Sequence, residues 1–185
     1  MDRTARAWQI LQSAELIHSA AAVDAAIARV AAEIGAKLAH QYPLVLSVMG
    51  GAVVFAGRLL PLLNFPLDFD YIHASRYGAA TSGGRIEWRV GPKGEVADRV
   101  VLVLDDILDM GDTMLAIRER ILGLGARAFY CAVLTDKNKA AAKPMRADFV
   151  GLPLPDRFVF GCGMDVHGLW RNLPAIYALR REGGA

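Results

Sequence analysis

The chain has almost no net charge: 21 basic and 19 acidic side chains leave +2 over 185 residues. That balance removes the electrostatic ground for expecting nucleic acid or an anionic membrane surface as a partner. Long apolar runs are also missing. The longest, Leu44–Met49 and Val100–Leu104, have the length of strands and fall far short of the roughly 20 residues that cross a bilayer. The opening MDRTARAWQI lacks the apolar core of a signal peptide. There are only two cysteines, Cys131 and Cys162, in apolar surroundings and without a C-x-x-C spacing. They are expected to be reduced core residues of a cytoplasmic protein. With no repeat or low-complexity tract, the length predicts a single domain over 1–185.

What is present is an alternation of strand and helix signals. Ala21–Leu38 places Val23, Ile27, Val30, Ile34 and Leu38 at three- and four-residue steps, with Ser19 positioned to cap the helix. A buried strand is expected at Leu44–Met49, a turn at Gly50-Gly51 and a helix over Val53–Leu63. Strands follow at Leu67–Ser75 and Ile86–Val90, separated by an irregular piece, Arg76–Arg85, and ended by a turn at Pro92–Gly94. A helix over Met114–Leu124 closes at Gly125. Phe129–Leu134, Asp148–Leu152 and Phe158–Phe160 read as the last strands. This order predicts an α/β fold with a mostly parallel central sheet flanked by helices. Its core would span about 40–137, and a small hood lobe from about 1–20 and 138–185 would lie over the sheet's C-terminal edge.

One stretch concentrates chemistry: VVLVLDDILDMGDTML, from Val100 to Leu115. A five-residue aliphatic run ends in Asp105 and Asp106, Asp109 follows, and Gly111 and Thr113 open the next helix. Carboxylates at the C-terminal end of a buried parallel strand face the crevice where open α/β sheets bind ligands. A helix N-terminus beside them offers unpaired N–H groups to a phosphate. Carboxylates for sugar hydroxyls or a metal, next to a phosphate cradle, suit a phosphorylated sugar.

This stretch resembles the phosphoribosyl-pyrophosphate signature of the type I phosphoribosyltransferases. It departs from the common pattern at Met110, where a hydroxyl residue is usual, and at Asp112, an acid beside the expected phosphate. The tail ADFVGLPLPDRFVFGCGMD resembles the 6-oxopurine branch of the same family, and HASRYG and GGRIEWR resemble one bacterial branch of the hypoxanthine-guanine phosphoribosyltransferases. The resemblance runs from Ala14 to Tyr177 and implies the type I phosphoribosyltransferase fold.

It also implies roles. Asp105 and Asp106 would hold the ribose hydroxyls and their Mg²⁺, and Asp109 would act as general base toward purine N7. Met110, Gly111, Asp112 and Thr113 would bind the 5′-phosphate. Met49, Gly50 and Gly51 form the pyrophosphate loop with Arg171, and a cis peptide is expected at Val48–Met49. Ser75, Arg76 and Tyr77 belong to a loop that closes over the reacting centre and excludes water. Lys137 would hydrogen-bond the purine 6-oxo group, Phe158 would stack on the ring, Val159 would contact its edge through the backbone and Met164 would pack beside it. Asp165 would reach a second Mg²⁺ through water. Read without the resemblance, Gly50-Gly51 is a tight turn, Lys137 a solvated strand end, and Phe158 and Met164 core residues.

The activity implied is purine salvage: hypoxanthine or guanine plus phosphoribosyl pyrophosphate gives IMP or GMP plus pyrophosphate. Two alternatives stand beside it: a regulator of the same fold that binds phosphoribosyl pyrophosphate, and a xanthine-preferring enzyme. Relatives imply a homo-oligomer, dimer or tetramer, for which the Ala-rich helix and Val53–Leu63 offer apolar faces.

Overall fold

A computed structural model describes residues 2–76, 86–92 and 95–180. Its centre is a six-stranded sheet in the order β4-β3-β2-β5-β6-β7. Strands β2 (Leu44–Val48) and β5 (Val100–Leu108) lie side by side at the middle. From β2 the chain passes through α3 (Val53–Leu59) to β3 (Asp68–Arg76) on one side. From β5 it passes through α4 (Asp112–Gly123) to β6 (Ala128–Lys137) on the other, and β7 (Phe149–Leu154) pairs next, all in parallel. Two connections leaving adjacent strands in opposite directions create a topological switch point. The crevice beyond the C-terminal ends of β2 and β5 is where such sheets bind ligands.

Both faces of the sheet's middle are covered, which explains why β2, β5 and β6 carry near-continuous apolar runs rather than alternating. Leu102, Leu104, Ala132 and Leu134 face α2 (Ala20–Leu38) and α3. Val101, Val103, Cys131 and Val133 face α4 through Met114, Ile117 and Ile121. The Ser19 hydroxyl caps α2 by accepting from Ala22 N–H at 3.2 Å. Arg29 ties the same helix to the sheet edge by donating to the carbonyls of Val150 and Gly151, at 3.1 and 2.5 Å. The antiparallel edge strand β4 (Ile86–Val90) packs Trp88 onto the α4-side core, which gives that residue a structural purpose.

The hood is a second sheet, β1 (Glu15–His18), β9 (Ile176–Ala178) and β8 (Val159–Phe160), in the order β1-β9-β8. Two tight turns follow β8. Cys162 and Gly163 have φ of 52° and 102°, and His167 and Gly168 have 54° and 75°. Positive φ at both central residues defines a type I′ turn, and each is closed by a bridge, Gly161 to Met164 and Val166 to Leu169. Helix α1 (Arg3–Ser13) docks on the second turn: Trp8 meets Trp170 edge-on at 5.2 Å, and Trp170 Nε1 donates to the Ala7 carbonyl at 2.9 Å.

Four expectations change. The helix expected over Val53–Leu63 stops at Leu59 and tightens into a 3₁₀ turn, Leu60–Leu62, where Pro61 has no N–H to give. The strand expected to carry the carboxylates at its C-terminal end extends beyond Asp106 to Leu108. Residues 149–154 belong to the core sheet and not to the hood, because β7 completes the ladder beside β6. The cis peptide joins Met49 to Gly50 and not Val48 to Met49; the missing Cβ of Gly50 makes that position the more permissive one. Both cysteines are free and buried, as expected.

Replacing Ser19 by Ala removes the cap of α2 and is expected to cost about 1 kcal/mol of stability. Urea denaturation monitored by circular dichroism checks this; an unchanged midpoint contradicts the assigned cap.

Candidate functional site

Two pockets meet at the switch point. The first, about 350 Å³, lies between Val48 and Ala74 on one side and the run from Asp105 to Met114 on the other. The second, about 240 Å³, shares Asp106, Ile107 and Asp109 with it and is walled by Lys137, Phe158, Val159, Met164, Asp165 and Arg171. The fold thus brings the signature and the tail into one cleft. Phe158 is 54% exposed at the mouth of the second pocket, so it is not a core residue, whereas Met164 and Val159 are buried.

The loop after β2 is fixed to both by close backbone packing. A Cβ on Gly51 would lie 2.0 Å from Asp106 Oδ2, and a Cβ on Gly163 would lie 1.9 Å from the Gly51 carbonyl oxygen. Only glycine at both positions lets Asp106, the Gly51 backbone and the hood turn stack on one another. The amide of Met49 donates to the Ile72 carbonyl at 2.8 Å and is therefore committed to the sheet. Among the described residues no protein acceptor takes the amides of Gly50 and Gly51, which leaves these two N–H groups for an anion.

Asp105 and Asp106 form the floor. Asp106 N–H donates to Asp105 Oδ1 at 2.9 Å, and Thr135 Oγ1 donates to the Asp106 carbonyl at 2.8 Å. Burial, and then the adjacent charge of Asp106, push the Asp105 carboxyl well above the usual carboxylate range. Burial also raises Asp106, but the hydrogen bond from Asp105, the Ile107 N–H and the charge of Arg171 oppose it. Asp105 is the member of the pair that is pushed further up. No group of three or more His, Cys, Asp or Glu among the described residues could hold a metal alone. The hard oxygen donors of Asp105 and Asp106 suit Mg²⁺, and these two residues would hold it if the ligand's own oxygens supplied the rest.

The first pocket ends at the start of α4. Gly111 takes φ of 91° as its N-cap, without a side-chain cap, and Asp112 stands in the first turn. The first-turn N–H groups and the dipole end thus face the pocket lined by Met110, Gly111, Asp112 and Thr113. Met110 is exposed.

Asp109 stands between two ammonium groups. Lys137 Nζ is 3.3 Å from its Oδ2, and Lys139 Nζ is 3.3 Å from its Oδ1. Lys137 is buried at the end of β6 and not solvated. Arg171 folds onto the hood, donating to the Gly163 carbonyl at 2.6 Å and pairing with Asp165 at 2.5 Å. The other oxygen of Asp165 accepts from Gly168 N–H at 2.6 Å. Both carboxylate oxygens of Asp165 thus already serve the hood turn, and its expected metal role would have to run through water. Ser75 and Arg76 end β3, paired with Glu87 and Ile86, rather than beginning a loop. Tyr77 and the rest of the expected closing segment to Gly84 lie outside the described residues.

Sequence reasoning missed Gly163, Lys139 and Lys143. The pair Lys137 and Lys139, two residues apart at a strand end, carried the signal for one of them.

Because the folded pKa of Asp105 is raised, the unfolded chain binds fewer protons above about 3.8. Stability is then lost as pH rises from there through the folded value. Asp105→Asn, which keeps the acceptor for Asp106 N–H, is expected to raise the melting temperature of the ligand-free protein at pH 7 by about 2–4 °C. Scanning calorimetry checks this; a lower melting temperature contradicts the upward shift of Asp105.

The phosphoribosyl transferase domain family matches residues 13–167. A hypoxanthine-guanine phosphoribosyltransferase of Bacillus subtilis is 33% identical over 153 residues, covering 80% of this chain and 85% of that protein. A solved hypoxanthine phosphoribosyltransferase of Trypanosoma cruzi superposes with a TM-score of 0.84 at 28% identity, over 92% of this chain and 98% of that one. A solved hypoxanthine-guanine-xanthine phosphoribosyltransferase superposes at 0.80 with 28% identity, over 90% and 97% of the two chains. With the signature cleft at the switch point of its sheet, the chain belongs to the phosphoribosyltransferase family, in its hypoxanthine-guanine branch.

Proposed function

We infer that the chain transfers the phosphoribosyl group of phosphoribosyl pyrophosphate to N9 of hypoxanthine or guanine, giving IMP or GMP and pyrophosphate. The observation that carries this is the pair of joined pockets. One offers a carboxylate pair and a helix start for a ribose 5-phosphate, and the other offers a cation, an acid and an exposed aromatic ring for a flat 6-oxopurine.

Asp105 and Asp106 hold the ribose 2′ and 3′ hydroxyls and, with water, the Mg²⁺ that neutralises the phosphates when bound. The N–H groups at Met110, Gly111, Asp112 and Thr113 take the 5′-phosphate. Gly50 and Gly51 present their amides to the pyrophosphate beside Met49. Arg171 supplies a fixed cation there, Asp165 orients it, and Asp165 is the residue that would help hold a second Mg²⁺. Lys137 donates to O6, a match for a 6-oxo group and a mismatch for the 6-amino group of adenine. Phe158 stacks on the ring, with the Val159 backbone at its edge and Met164 behind it. As the N9–C1′ bond forms and the C1′–O bond to pyrophosphate breaks, Asp109 takes the N7 proton, so the purine reacts with its electron pair strengthened.

No helix among the described residues is long and apolar enough to cross a membrane. We place the protein in the cytoplasm as a homo-oligomer, with exposed Val53 and Leu62 on the faces that a partner copy would cover.

A spectrophotometric assay with Mg²⁺, phosphoribosyl pyrophosphate and each of hypoxanthine, guanine, xanthine and adenine tests this reading. Turnover of the first two with little of adenine is expected. Binding of phosphoribosyl pyrophosphate without turnover of any base would make the chain a regulator, and preference for xanthine would move the specificity to the C2 side. Asp109→Asn is expected to lower kcat by about 10²–10⁴; a wild-type rate would remove its role as base.

A further inference from the structure

The segment after β6 sends two ammonium groups back to the β5–α4 loop. Lys143 Nζ donates to the Leu108 carbonyl at 2.6 Å and pairs with Asp136. Lys139 Nζ stands 3.3 Å from Asp109 Oδ1 and 2.6 Å from Asp156 Oδ1. The two oxygens of Asp109 are not equivalent. Oδ1 is buried and makes no hydrogen bond, so the charge of Lys139 is what faces it. Oδ2 lies on the side of Lys137 and the base pocket, which Asp109 and Lys137 both line.

Lys139 is only 19% exposed, so its pairs are partly shielded from water. The hydrogen bond to Asp156 raises its ammonium above the usual range, with Asp109 contributing in the same direction, and keeps it charged. Asp156 lies two residues before Phe158, in the turn between β7 and β8. One ammonium group thus links the loop that carries the acid to the turn that carries the ring wall.

We propose that Lys139 is a positioning residue for phosphoribosyl transfer, holding Asp109 by Oδ1 so that Oδ2 meets the purine and fixing the Phe158 turn relative to it. This rests on Asp109 being the group that takes the N7 proton. A carboxylate left without that hold samples other rotamers, and misplacing a reacting group by about 1 Å can cost up to 10²-fold in rate. Lys139 touches the base side through Asp109 and lines neither pocket itself, so its effect is expected on the rate and not on binding of phosphoribosyl pyrophosphate.

Steady-state kinetics with hypoxanthine on Lys139→Gln, Lys139→Arg, Asp156→Asn and Asp109→Asn, alongside thermal melts, test the proposal. Lys139→Gln is expected to lower kcat by about tenfold, with KM for phosphoribosyl pyrophosphate within about twofold and an unchanged melting temperature. Lys139→Arg should recover most of the rate, and Asp156→Asn should lower it in the same direction. A Lys139→Gln rate within about twofold of wild type overturns the proposal while leaving a slow Asp109→Asn, and the reading of Asp109, intact. A joint fall of kcat, both KM terms and the melting temperature without rescue by Arg makes Lys139 merely structural and also overturns it. A wild-type rate for Asp109→Asn removes the reading on which it rests.

Discussion

The cleft depends on a carboxylate packed against a backbone that has no side chain. Asp106 lies where a Cβ on Gly51 would be, and the Gly51 carbonyl lies where a Cβ on Gly163 would be. Through these contacts the β2 loop, the end of β5 and the hood turn become one wall. Asp106 in turn is shared by both pockets, so the sugar side and the base side keep a fixed relation. The switch point of the sheet supplies the location, and the glycines supply the closeness. The type I′ turn that puts Gly163 at φ of 102° is therefore part of the site as much as the signature is.

Charge is arranged around that wall with its neutralising partners in two different places. Asp109, Asp156 and Asp165 have theirs in the protein, as Lys137, Lys139 and Arg171. Asp105 and Asp106 form no ion pair of their own among the described residues; they lean on each other, with only the more distant charge of Arg171 acting on Asp106, and burial raises both carboxyls. The ligand-free site is thus built at some expense of stability, since groups that must meet a ligand's charge cannot also satisfy one another.

Much of this was readable in the sequence. The apolar run before Asp105, the glycine and hydroxyl at the start of α4 and the Ser19 cap each act locally, through strand burial, helix dipole and side-chain capping. What was not readable depends on contacts distant in sequence. Residues 149–154 read as a strand of the hood until β6 is seen to need a neighbour. Gly163 reads as one glycine of a GCG turn, and its meaning comes from Gly51, over a hundred residues earlier. Helix α1 buries no residue of its own and leaves only a Trp8 to find Trp170. The commitment of the Met49 amide to Ile72 likewise follows from sheet pairing and not from the Gly50-Gly51 motif.

On the proposed reading, the Asp105–Asp106 pair is neutralised by a cation brought with the sugar phosphate. Calorimetric titration of phosphoribosyl pyrophosphate into the protein, with Mg²⁺ and then with a chelator in its place, tests it most directly. Affinity at least about tenfold tighter is expected with Mg²⁺, a difference of about 1.4 kcal/mol. Equal affinity in the two conditions would contradict it.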